Sequence, residues 1–176
     1  NPDYDSREIV GDNYANSSER YYGNSDVVGP DASHGSHVAG IIAAKRGNNI
    51  GLDGIADRAK IMVVRVVPDG DERDKDVANG IRYAVDNGAK IINMSFGKGF
   101  SWDKNIVDSA VAYAESKGVL LVHAAGNNNS DNDEIPNYPN DTLWNGTHTA
   151  ANWIEIGASQ PKRKKLATVF SNYGKN

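Results

Sequence analysis

The sequence predicts an α/β protein with a mostly parallel sheet between helices, and three observations carry that expectation. Short β-branched runs recur along the chain, segments with helical apolar spacing separate them, and glycines punctuate the ends of both. A length of 176 residues with 39% hydrophobic content suits one medium domain or most of a larger one.

Residues 1–33 are polar, rich in Asn, Asp, Ser and Tyr, and nearly aperiodic, which reads as a loop or insertion. Ser33-His34-Gly35-Ser36-His37-Val38-Ala39-Gly40-Ile41-Ile42-Ala43-Ala44 follows, a small-residue run that predicts a helix buried on most sides with its polar entrance facing a site. A Gly/Asn turn spans Gly47 to Gly51, and Lys60 to Val67 reads as a fully buried strand ended by Pro68-Asp69-Gly70. Over 75–87, Val77, Ile81, Ala84 and Val85 fall at i, i+4, i+7 and i+8, with Asp74 and Asp76 at the start and Gly88 just past the end. This spacing predicts an amphipathic helix. Lys90 to Phe96 forms the next strand. Ile106, Val107, Ala110, Val111 and Ala114 mark a helix closing at Gly118, and Val119 to Ala125 and Trp153 to Ala158 are further strands.

In sheets of this kind ligands bind outside the carboxyl ends of the strands. The candidate exits are Ser95-Phe96-Gly97, Ala125-Gly126-Asn127 and Pro68-Asp69-Gly70. A net charge of −4 argues against a general nucleic-acid binder, whose affinity comes from a basic surface. No apolar run approaches the roughly 20 residues that span a bilayer. The lack of cysteine removes disulfides and thiolate chemistry without settling the compartment. No G-x-G-x-x-G or G-x-x-x-x-G-K-[ST] loop supports a nucleotide site.

Four segments, HGSHVAGIIAA, NMSFG, LVHAAGNNN and FSNYG, occur in this order and resemble the corresponding segments of subtilisin-like serine proteases, from about Gly29 to the last residues. Ser36 stands where the family usually shows Thr. The resemblance implies a three-layer subtilisin-like fold over residues 1–176, with 1–33 as a polar insertion and 34–176 as the α/β core. It makes His34 the general base and acid, and Asn127 the side-chain donor to the oxyanion of a tetrahedral intermediate. Ser95, Phe96 and Gly97, with Ala125 and Gly126, become the substrate-binding segments, against which a peptide or protein substrate would lie extended. The positive end of a helix disfavours imidazolium, which suits a resting base at His34.

The chain also departs from the family. Asp3, Asp5, Asp12, Asp26 and Asp31 precede His34, but none stands in an Asp-Ser-Gly or Asp-Thr-Gly setting, and Asp5-Ser6-Arg7 is a poor substitute. No Gly-Thr-Ser-Met-Ala element follows FSNYG before Asn176, and nothing around Ser95 resembles a nucleophile motif. The expectation is therefore the middle of a catalytic domain, its start lying before Asn1, incomplete as a fold and inactive alone. Its partners would be the remaining segments of the same domain. A second function class is a non-catalytic peptide-binding module that kept the cleft and lost the nucleophile.

The chemistry implied needs no cofactor. A structural calcium ion is admitted, since family members often hold one and the loops Asp3 to Asp12 and Asp131 to Glu134 offer oxygens, although solvated loops are the simpler reading. A zinc site from His34, His37 and Asp31 ranks behind a structural His37. His123 and His148 read as structural, Pro161 to Lys165 as an exposed loop, and Asn145-Gly146-Thr147 as a chance triplet. The resemblance implies an extracytoplasmic or secreted protein.

Overall fold

A computed structural model describes residues 5–67, 72–162 and 165–175. The chain divides into two units, residues 1–65 and 66–176. In the first, helix α1 (Ser6–Val10) is capped by the Asp5 side chain, which accepts from the Arg7 amide, and by Gly11 in the left-handed region. Turns and irregular chain then lead to helix α2 (Ser33–Ala43), where the small-residue run predicts one.

Two expectations fail in this unit. No residue of α2 is buried, and Ile41 is 53% exposed. Small residues say how closely a surface could approach the helix, not that one is present, and the polar residues before it supply none. Lys60 to Val67 is not a strand: Ile61, Met62 and Val63 are 44%, 42% and 53% exposed. β-branched residues favour a pleated, half-buried surface, and without a ladder partner the run stays irregular. The Pro68-Asp69-Gly70 exit lies outside the described residues.

The second unit contains helix α3 (Asp74–Asp86), strand β1 (Ile91–Met94), helix α4 (Lys104–Ser116) and strand β2 (Leu120–Ala124). After the short antiparallel pair β3 (Thr142–Leu143) and β4 (His148–Thr149) comes strand β5 (Trp153–Ile156). Strands β6 (Ser159–Lys162) and β7 (Lys165–Ala167) pair antiparallel, so the ends of the Pro161 to Lys165 run belong to strands; Arg163 and Lys164 lie outside the described residues. The main sheet is parallel in the order β1-β2-β5, with Ile92 opposite Leu121 and Leu121 opposite Trp153. No helix among the described residues is long and apolar enough to cross a membrane.

Alternation along these strands divides the sheet into unlike faces. Val77, Ala78, Ile81 and Val85 of α3 and Val107, Ala110, Val111 and Ala114 of α4 form one cluster with Met94 and Leu121. On the opposite face Ile91, Ile154 and Ile156 are 62%, 45% and 51% exposed. A parallel sheet normally buries both faces, so the open one marks the fold as incomplete in itself.

This asymmetry makes a measurable prediction. Leu121→Ala, at a wholly buried site, is expected to destabilise by about 2–5 kcal/mol. Ile156→Ala on the open face should change stability by under about 1 kcal/mol. Urea midpoints of the two variants check the ranking; equal losses would mean that the open face is covered.

Candidate active site

Strand ends of the parallel sheet bring two of the expected segments side by side. Among the described residues β1 is an edge strand, and Ser95-Phe96-Gly97 continues from its carboxyl end. This continuation is fixed by reciprocal backbone bonds between Lys98 and Tyr138, at 3.0 and 2.8 Å. Lys98 Nζ also pairs with Asp74 at 2.8 Å and donates to the Glu72 carbonyl at 2.7 Å. β2, the neighbour of β1, leads into Ala125-Gly126-Asn127. Ala125 is buried, its amide donating to the Ile156 carbonyl at 2.9 Å, and Asn127 is exposed at the turn beyond.

Asn137 joins the two exits, and sequence reasoning did not find it because no local pattern marks it. Its Nδ2 donates to the Ala124 and Ala125 carbonyls at 3.0 and 3.1 Å. A Cβ on Gly97 would lie 2.6 Å from its Oδ1, so the glycine admits this side chain between the segments. Phe96 is half-buried, packs on the core cluster and meets the His123 ring edge-on, with centroids 6.4 Å apart.

Beneath the exits, His123 is buried and its Nδ1 lies 3.1 Å from both oxygens of Glu155, which also accepts from Trp153 Nε1 at 2.8 Å. Its Nε2 is buried without a partner. An Nδ1–H donor satisfies this geometry with one acceptor left over, a smaller penalty than an orphaned donor. Glu115 of α4 accepts from the Ala151 amide at 2.7 Å and contacts His148 Nε2 at 2.7 Å. The Ala151 bond first, and His148 second, hold its carboxyl below the usual range. Both histidines thus have structural partners.

His34 occupies the first turn of α2, where it is exposed, as is His37. Asp31 Oδ1 accepts from the Ser33 amide at 2.8 Å, and that bond, followed by one to the Ser33 hydroxyl, holds the carboxyl below its ordinary value. The helix end beside His34 therefore carries an anion bonded to its first amide, that of Ser33. At the other end, Ile55 and Ala56 donate to the Ile41 and Ile42 carbonyls at 3.0 and 2.7 Å, and Gly54 donates to the Ala44 carbonyl at 2.9 Å. His34 belongs to the first unit and Asn127 to the second.

Among the described residues no group of three or more His, Asp or Glu is arranged to hold a metal. In the Asp131 to Glu134 loop, Asp131 accepts from the Asp133 amide at 3.0 Å in the manner of a turn residue, and Asp133 accepts from the distant Lys175 amide at 3.0 Å.

A parallel α/β sheet that delivers an edge segment and an exposed carboxamide from adjacent strand ends is a scaffold of the subtilisin kind. The chain belongs to the subtilase family, whose model matches residues 4–176. It is 39% identical to thermitase of Thermoactinomyces vulgaris over 172 residues, 94% of this chain and 56% of that protein. It is 35% identical to the thermophilic serine proteinase of Bacillus sp. (strain AK1) over 174 residues, 98% of this chain and 38% of that protein. The structure of the patellamide maturation protease PatA matches with a TM-score of 0.64 and 29% identity, over 82% of this chain and 49% of that one. The chain thus spans about half the length, or less, of these relatives.

The close approach at Gly54 gives a prediction for α2. A Cβ there would sit 2.3 Å from the Ala44 backbone nitrogen, so Gly54→Ala must displace the segment that satisfies the helix's last carbonyls. The expected outcome is faster amide exchange at Ile55 and Ala56, with exchange at Leu121 unchanged. Unchanged exchange at Ile55 and Ala56 would refute the clasp.

Proposed function

We propose that this chain carries the base and the oxyanion donor of a subtilisin-type serine endopeptidase that acts on peptide or protein substrates outside the cytoplasm. The observation that supports it most directly is the placement of Asn127 at the exit of β2, next to the Ser95-Phe96-Gly97 continuation of edge strand β1. A substrate strand laid along that continuation brings its scissile carbonyl toward the neighbouring exit. As the carbonyl becomes tetrahedral, its oxygen takes negative charge and Asn127 Nδ2–H donates to it. His34 takes the proton from the serine hydroxyl and returns it to the leaving amine, while the serine oxygen bonds to carbon and the C–N bond breaks. The chemistry requires no cofactor.

The serine and the aspartate that orients the base are not among recognisable motifs of these 176 residues. The 176-residue chain alone is therefore inactive as a peptidase, and a fluorophosphonate should label none of its serines. Stoichiometric labelling of one of them would overturn this.

In the full-length protein, Asn127→Ala is expected to lower kcat by about 10²–10³ with little change in KM, a magnitude taken over from subtilisin itself. An unchanged kcat would remove Asn127 from the mechanism. A full-length protein that binds peptides without cleaving them would favour the non-catalytic binding module.

A further inference from the structure

We propose that Asn172, in the FSNYG segment, is the positioning residue that sets the backbone of Asn127; this rests on the oxyanion role proposed above. Asn172 is 7% exposed. Its backbone amide donates to the Gly126 carbonyl at 2.9 Å, and its Oδ1 accepts from the Asn128 amide at 2.7 Å. Those two groups belong to the peptide units on either side of the Asn127 Cα. A single residue therefore holds both planes that define the φ and ψ of Asn127.

The rest of the network fixes the carboxamide itself. Asn172 Oδ1 also accepts from the Ser130 amide at 3.2 Å, and Nδ2 donates to Asn132 Oδ1 at 3.0 Å. Asn132 cannot turn its amide over, because its own Nδ2 donates to the Ala125 carbonyl at 2.9 Å. Each carboxamide atom thus has a role that a flip would break. Gly126, at φ +110°, makes room: a Cβ there would lie 2.5 Å from Asn172 Nδ2. Ser171 anchors the cluster to the exit of β5, its Oγ accepting from the Ala158 amide and donating to the Asn172 carbonyl, both at 2.9 Å.

A loop with four asparagines between 126 and 133, and Asn129 at φ 53°, would otherwise sample many conformers. An oxyanion donor works by being in place before charge develops, and a misplacement of about 1 Å can lower turnover about 10²-fold. Asn172 supplies that preorganisation without touching substrate.

The test compares Asn172→Ala and Asn172→Asp in the full-length protein. Aspartate retains an acceptor for the Asn128 and Ser130 amides and loses only the donor to Asn132; alanine loses all three bonds. Alanine is expected to lower kcat about 10-fold or more with KM within about twofold, and aspartate to recover most of that loss. In an Asn127→Ala background, Asn172→Ala should change kcat by less than about twofold, since the group it positions is gone. Amide exchange at Asn128 and Ser130 should accelerate in the alanine variant and stay slow in the aspartate variant.

An equal kcat loss in both backgrounds would overturn the proposal, as would unchanged exchange at Asn128 and Ser130 in the alanine variant. Should the alanine variant not fold, the aspartate variant decides: slow exchange at those amides supports the clasp and fast exchange refutes it. A silent Asn127→Ala would remove the oxyanion role, while the exchange measurement still shows whether Asn172 holds the loop.

Discussion

Burial of one face of the β1-β2-β5 sheet under α3 and α4 is the constraint on which the described site depends. Met94 and Leu121 lock the strands to the helices, and the parallel register then brings the carboxyl ends of β1 and β2 out together. Side chains alternate along a strand, so this register also decides which residues point away from the helices. The segments that leave the sheet at Ser95 and Ala125 inherit their positions from that packed layer.

A buried polar layer supports the apolar one. His123, Trp153 and Glu155 form a hydrogen-bonded group on the helix-facing side of β2 and β5. Asp108, 2% exposed, takes Lys104 at 2.6 Å and the Trp144 amide at 2.8 Å. Such groups contribute modestly when satisfied and are expensive when left unpaired, so their value lies in excluding other arrangements. The buried Asn172 carboxamide is paired in the same way, accepting from the Asn128 and Ser130 amides and donating to Asn132.

Much of this was legible in the sequence where the signal was periodic and local. The apolar spacing of Val77, Ile81 and Val85 and the run around Leu121 describe surfaces that do meet in the core. Lys60 to Val67 carried an equally strong strand signal and failed, because strand formation needs a neighbour that periodicity cannot see. Motif context alone singles out Asn127, and Asn172 enters the sequence reading only as part of a quoted segment. A hydrogen bond spanning from 128 to 172 has no local signature. Asn137 was invisible for the same reason, its significance arising only where Gly97 and the end of β2 approach it.

The two units differ in how far each can stabilise itself. The second has a core of its own, with one sheet face left open. The first has only Gly54 buried among its described residues, and along α2 Val38, Ala39 and Ile42 are half-buried while Ile41 is exposed. An 11-residue helix is marginal in water on its own, and amphipathic packing normally supplies most of its stability. The backbone clasp from residues 54–56 satisfies the last carbonyls of α2 but buries little apolar area. Ordering of α2, whose first turn carries His34, therefore needs apolar contacts beyond those the first unit gives its own helix.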